Sequence, residues 1–482
     1  LPRAVVLIDG EHYPPVVAAA LDRLRERYHV AGGVFAGGRE KLRGALVAAP
    51  GSETTGTSAL AAEYRLARLD VVEPRSGLVH EVLDGVRAAL RAARADVLVD
   101  LSDEPVVGYR ERFLLMSAAL AEGAAYVAAD TEVRPQRFAR PRGVASLGVI
   151  GTGKRVGKTA VSGWLSRRLD VALRSRGGVV VVAMGRGGPA EPELIEAGGL
   201  GPVELLAASR AGRHAASDSY EDAALAGVTT IGCRRCGGGL AGAPFDDNVG
   251  AALPLVETSG AALAVIEGSG AVVPPVAADA MLCVAGAGQP SEYVTGYLGT
   301  YRLLLSDALI LTQCELPFVE PGEVEALAAA ARTVVPGLEV ITTVFRPRPA
   351  TSVRGRRVAF FTTAPPSAAP MLEQALADDH GADVVLVSCD LADRGRLYAA
   401  VKRAAAEADV LLTEIKAAAI DVVAEAAAAA GRELVFCDNE PVALEGDLAV
   451  AVDRLAALAA DRFAARVRPA GYAGAGGDEP GG

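Results

Sequence analysis

Short apolar runs rich in Val, Leu, Ile and Ala alternate along this chain with longer stretches of Ala, Leu, Arg and Glu. The runs have the length of buried strands. The stretches carry apolar residues about every three to four positions, the period of a helix packed on one face. Alternation of this kind predicts mostly parallel sheets covered by helices, and it falls into three consecutive α/β domains. In the first, residues 1–142, a Rossmann-like unit is expected, with strands at 4–8, 30–35, 71–72, 96–101 and 125–128 and helices at 14–27, 81–94 and 110–122. In the second, 143–350, strands are expected at 144–150, 179–183, 264–266, 280–284, 308–312 and 340–344, with a helix at 160–174. In the third, 351–468, they are expected at 358–362, 383–387, 410–412 and 434–437. The Pro- and Arg-containing stretches 134–142 and 345–357 read as linkers, and the Gly- and Pro-rich tail 469–482 reads as disordered.

Composition narrows the class. The chain has 482 residues, more than one core normally serves, and is 51% apolar and 22% charged, as a globular protein is. Its 48 basic and 59 acidic residues leave a net charge of −11, which argues against a nucleic-acid partner but not against a small anion held by a local basic cluster. No apolar run is long enough and free enough of charge, Pro or Gly to span a membrane, and no basic-then-apolar leader is visible; a cytoplasmic location is expected. The six cysteines, at 233, 236, 283, 314, 389 and 437, are sparse and mostly inside apolar runs, which suggests reduced thiols.

The chemistry begins at Gly151-Thr152-Gly153-Lys154-Arg155-Val156-Gly157-Lys158-Thr159-Ala160. An apolar run leads into it and a helical stretch follows, the layout of a phosphate-binding loop. The backbone N–H groups and the helix N-terminus would converge on phosphate oxygens. Lys158 would reach the outer phosphates of ATP, and the Thr159 hydroxyl would ligate Mg²⁺. The usual first Gly position is Thr152, with a glycine on either side.

The loop resembles that of dethiobiotin synthetase and its relatives. So does Leu263-Ala264-Val265-Ile266-Glu267-Gly268-Ser269-Gly270, an apolar strand ending in an acid. In that position Glu267 would serve Mg²⁺, directly or through water. In that class the loop after a strand such as 308–312 lies near the nucleotide base. Further segments carry a resemblance across all three domains. They are Ile8-Asp9-Gly10-Glu11-His12-Tyr13-Pro14-Pro15, Gly232-Cys233-Arg234-Arg235-Cys236 with its trailing glycines, Tyr301-Arg302-Leu303-Leu304, and Thr413-Glu414-Ile415-Lys416-Ala417. With the loop, they make the chain similar to the cyclic 2,3-diphosphoglycerate synthetases. That resemblance implies ATP- and Mg²⁺-dependent closure of 2,3-bisphosphoglycerate into a cyclic internal pyrophosphate, and a homodimer. The other readings are a related ligase acting on a carboxylate and a P-loop switch or metal chaperone.

Bringing two phosphates of one molecule together requires positioning and charge neutralisation. Lys158, Lys154, Arg234 and Arg235 are the candidate catalytic cations; His12, Arg155, Arg186, Arg234 and Arg235 are the candidate substrate-binding residues. Glycines beside Arg186 and after Arg235 would let backbone approach an anion. Alternatives stand beside each. His12, with Asp9 and Glu11, follows a strand and could be a turn histidine. Asp100, Ser102, Asp103 and Glu104 could hold a metal or cap a helix. Cys233 and Cys236 have the spacing of half a zinc site or a redox pair, without the remaining ligands. Lys416 is a further anion-site candidate.

Overall fold

A computed structural model describes residues 1–42 and 53–467 except 76, 216 and 418. The tail expected to be disordered, 469–482, lies outside the described residues. The architecture is the expected α/β one. An N-terminal six-stranded sheet runs in the order Leu69–Val71, His29–Phe35, Arg3–Ile8, Val97–Asp100, Ala125–Val127, Glu132–Val133, parallel except for its last pair. Its helices Val79–Ala93 and Tyr109–Ala121 share one apolar core with the helices Gly299–Leu304 and Pro321–Val334 of the central domain.

The other two domains share a single sheet. Its order is Asp246–Asp247, Thr230–Cys236, Val179–Gly185, Leu263–Glu267, Ala145–Gly151, Ala280–Gly286, Ala308–Thr312, Glu339–Pro349, Glu433–Ala443, Val410–Thr413, Arg357–Phe361, Asp383–Ser388. The sequence reading ended one strand at 344 and began a linker there. Instead Glu339–Pro349 continues as strand, and Glu433–Ala443 likewise outruns its expected end at 437. Each strand has two partners in succession. Residues 339–342 pair in parallel with 308–311, and 433–436 pair in parallel with 410–413. Residues 343–349 then pair antiparallel with 443–437. The two parallel sheets therefore meet with their C-terminal edges facing one another, joined by an antiparallel ribbon.

Prolines made 345–349 look like linker. Pro347 faces Asn439, Pro349 faces Cys437 and Pro441 faces Phe345, so all three fall on the same alternate set of pairs. In an antiparallel ladder one such set directs its N–H groups away from the partner, so prolines there need cost no ladder bond. Arg346 adds a two-pronged ion pair to Glu315, 2.5 and 2.8 Å, which ties the ribbon to the loop after Thr312.

The last helix also departs from the sequence grouping. Leu448–Val467 lies within the stretch 351–468 expected to form the third domain, and it packs on the central sheet. Leu448, Ala451, Val452, Leu455 and Ala459 are buried at helical spacing against strand residues such as Leu147 and Leu282. Arg462 and Arg466 clamp its end to Asp307 and Asp279 of the central domain. Leu455→Ala should cost about 2–5 kcal/mol of stability by leaving a cavity on that sheet. Denaturant unfolding checks this, and a loss well under 1 kcal/mol would show that the helix is not part of the central core.

Candidate functional site

Strand Ala145–Gly151 is buried throughout and delivers the Gly-rich loop to the sheet's C-terminal edge. The helix begins at Lys158, two residues earlier than expected, with Gly157 at φ +78° making the turn into it. The first N–H groups of a helix have no intrahelical acceptor and face outward from its start. A Cβ at Gly157 would fall 2.2 Å from Phe345 Cζ, so only glycine fits beneath that ring. Gln289 braces the loop from the neighbouring strand: its Oε1 accepts from the Thr152 hydroxyl at 2.5 Å and from the Gly286 N–H at 3.2 Å. Thr312 Oγ1 donates to the Val156 carbonyl at 2.8 Å. The sequence reading missed Gln289; its only signal is a Gly-Ala-Gly-Gln turn at the end of strand Ala280–Gly286.

The two facing sheet edges enclose a cavity of about 870 Å³. Residues 153–160 line it on the central side, with Arg186, His214, Asp218, Ser269 and Gly270. Thr363, Pro365, Glu414, Lys416 and Asn439 line it on the C-terminal side. Such a volume lies toward the upper end of the roughly 300–1,000 Å³ usual for small-molecule sites. Arg346 and Lys416 are paired with Glu315 and Glu221. Lys154, Arg155 and Arg186 have no carboxylate within ion-pair distance among the described residues.

Glu267 sits below the loop, 2% exposed. Burial raises its pKa to about 7, opposed by the nearby Lys158 charge. Beside it lies Asp222, also 2% exposed, whose pKa is pushed well up by burial and by the charges of Glu267 and Glu221. Glu267 Oε1 and Asp222 Oδ2 both lack a hydrogen-bond partner. Two orphaned carboxylate oxygens within reach of the Lys158 charge are the chemistry a hard cation would satisfy. Among the described residues no group of three or more acids, histidines or cysteines is already assembled as a metal cage. Asp222 was not foreseen, because nothing in a helical Asp-Ala-Ala-Leu-Ala stretch marks it.

Arg234 and Arg235 depart from expectation. The trailing glycines suggested a turn around an anion, but both arginines lie on strand Thr230–Cys236, where neighbours point to opposite faces. Arg235 reaches Ser269, donating from Nη2 to its carbonyl at 3.0 Å and its hydroxyl at 3.1 Å. Arg234 is exposed, and neither it nor Arg235 lines the cavity. Arg186 Nη2 and Arg235 Nη2 lie 3.3 and 3.8 Å from where a Cβ on Gly270 would stand. Burial, and repulsion from Arg186, lower the pKa of Arg235. The same strand geometry separates the cysteines: Cys233 is buried, its thiol raised to about 12 by burial, and Cys236 is exposed. Three residues apart on a strand, they cannot converge on one metal.

The N-terminal candidates lie elsewhere. Asp9 Oδ1 accepts from the Glu11 and His12 N–H groups and faces His12 Nδ1 at 2.8 Å, while Oδ2 accepts from the Asp103 N–H. Asp100 accepts from Ser102, Arg112 and Tyr126. These acids brace turns, and neither they nor His12 line the cavity.

Residues 146–344 match the family described as cyclic 2,3-diphosphoglycerate synthetase, P-loop domain. Residues 349–440 match its C-terminal domain and 3–134 its N-terminal domain. The chain is 49% identical to the cyclic 2,3-diphosphoglycerate synthetase of Rubrobacter xylanophilus, over 92% of this chain and 96% of that one. It is 37% identical to that of Methanothermus fervidus over 96% and 98%, and 42% identical to that of Thermococcus gammatolerans over 94% and 96%. The chain belongs to the cyclic 2,3-diphosphoglycerate synthetase family. It is therefore an enzyme of the synthetase class with a P-loop domain at its centre. Among the described residues no helix is long and apolar enough to cross a membrane.

The Glu267 environment in this synthetase-family chain has a measurable consequence. A buried carboxyl whose pKa is raised holds its proton longer folded than unfolded, so stability falls as pH climbs from the ordinary carboxylate range through about 7. Glu267→Gln cannot ionise and escapes that loss. The ligand-free variant should be the more stable protein at pH 8.5, by up to roughly 3 kcal/mol, with the advantage shrinking toward pH 5. Urea unfolding at the two pH values tests it; a difference that does not change with pH would contradict the assignment.

Proposed function

We propose that the enzyme uses Mg·ATP to close 2,3-bisphosphoglycerate into its cyclic anhydride, releasing ADP and phosphate. The observation that carries this reading is the set of unpaired cations, Lys154, Arg155 and Arg186, around a phosphate loop in a cavity of about 870 Å³. In this reading the ATP phosphates lie on the N–H groups of residues 153–159, with Lys158 against the outer phosphates. Thr159, Glu267 and Asp222 would hold Mg²⁺, which supplies charge neutralisation at the phosphates when bound. The substrate lies toward Arg186 and Gly270, where an anion relieves the crowding of the Arg186 and Arg235 guanidiniums. The γ-phosphoryl group passes to one substrate phosphate. The neighbouring phosphate then attacks the phosphorus of that substrate phosphate in line, and inorganic phosphate leaves. Lys154 and Lys158 stabilise the charge that develops. The same proposal takes the enzyme to be a homodimer, which light scattering checks.

The direct test is ADP release with and without 2,3-bisphosphoglycerate, followed by phosphorus NMR of the product. Substrate-dependent ADP release with a new anhydride resonance is expected; ADP release that ignores 2,3-bisphosphoglycerate would exclude this substrate. Two variants divide the roles. Lys158→Ala should abolish turnover in a folded protein. Arg186→Ala should raise the KM for bisphosphoglycerate by about 10–100-fold, corresponding to ~1.5–3 kcal/mol for a lost charged hydrogen bond, with little change in the KM for ATP. Arg234→Ala should change neither. A loss in Arg186→Ala confined to ATP would place Arg186 at the nucleotide.

A further inference from the structure

The cavity is uneven in charge. Its unpaired cations, Lys154, Arg155 and Arg186, all belong to the central domain. Among the described residues the C-terminal domain brings two charged groups to the cavity, and both are already committed. Lys416 Nζ lies 3.3 Å from Glu221. Burial works against its ammonium, but the charges of Glu221 and Glu414 outweigh burial and raise its pKa. Glu414 accepts from Thr362 Oγ1 at 2.9 Å, from Thr363 N at 3.0 Å and Oγ1 at 2.9 Å, and from Asn439 Nδ2 at 2.8 Å. What this edge leaves for a ligand is largely apolar: Pro365, Met371 and Leu372, on the cavity that Phe318 and Phe345 line from the central domain. A polyanion gains nothing from such a wall, whereas a flat ring with an apolar face does.

Strand order gives the same division. Along the central sheet the strands leading to Arg235, Arg186 and Glu267 lie on one side of the phosphate-loop strand. Those leading to Phe318 and Phe345, and beyond them the whole C-terminal sheet, lie on the other. A nucleotide with its phosphates on the loop thus has Arg186 to one side, and Phe318 and Phe345, which border the neutral compartment, to the other. Phe345 borders the loop itself, as its approach to Gly157 shows.

We propose that this neutral compartment, walled by both domains, seats the nucleoside of the bound nucleotide, so that the C-terminal domain, which carries no phosphate loop, sets nucleoside affinity. The proposal rests on the reading that the loop binds nucleotide phosphates. It is tested by calorimetry on the full chain with Mg²⁺, comparing a non-hydrolysable ATP analogue with inorganic tripolyphosphate, which has no nucleoside. Met371→Ala removes part of the wall, and Ala364→Trp, at a small residue lining the cavity, fills the space. Met371→Ala should weaken the ATP analogue about tenfold, Ala364→Trp more, with tripolyphosphate held within about twofold in both. Retained tripolyphosphate binding also shows that the variants are folded, and the KM for bisphosphoglycerate should not move. Equal losses for both phosphate ligands, no loss for either, or a loss confined to bisphosphoglycerate would overturn the proposal. Failure of the unaltered enzyme to bind either phosphate ligand would instead overturn the reading of the loop.

Discussion

An antiparallel ribbon, residues 343–349 on 443–437, is the constraint from which the cavity follows. Parallel α/β sheets collect ligands at the C-terminal edges of their strands, because loops and helix N-termini gather there. Two such sheets laid side by side would open two separate clefts. Here each sheet sends one strand past its own edge, and the two overruns pair with each other. Edge therefore faces edge, and loops from both sheets border one space. The ribbon carries its own lining residues, Phe345 and Asn439, and the Arg346–Glu315 pair ties it to the loop after Thr312.

Charge then divides that space. Beneath the phosphate loop, Glu267 and Asp222 are buried with orphaned oxygens and raised pKa values, a cost that the nearby Lys158 charge relieves only in part. Across the cavity the opposite choice is made: Glu414 is saturated with hydrogen bonds, and the Lys416 charge, together with those bonds, lowers its pKa against the effect of burial. Glu267 and Asp222 keep oxygens open to a cation, whereas Glu414 is closed off. The first arrangement suits a site that fills during turnover; the second suits a wall that stays fixed.

Much of this was legible in the chain. Apolar runs bounded by Gly and Pro located the main parallel strands, and the loop motif located the centre of the site, because both are local patterns. The failures have a common cause in long-range pairing. Pro347 and Pro349 read as part of a linker, yet the ribbon places them, with Pro441, on one alternate set of pairs, a register no single segment reveals. Arg234 and Arg235 looked like a pair until the strand sent them to opposite faces, and the same alternation dissolved the Cys233–Cys236 motif. The final helix, Leu448–Val467, buries its apolar stripe on the central sheet, a destination that its own residues do not mark. Asp222 and Gln289 act through neighbours far along the chain and carry no local mark.

The central claim is that one cavity between two facing sheet edges holds both reactants. A crystal structure with a non-hydrolysable ATP analogue, Mg²⁺ and 2,3-bisphosphoglycerate tests it most directly. The account predicts the triphosphate on the N–H groups of residues 153–159 and the bisphosphoglycerate beside Arg186 and Gly270 in the same cavity. Bisphosphoglycerate bound at the N-terminal sheet, beside Asp9 and His12, would contradict it.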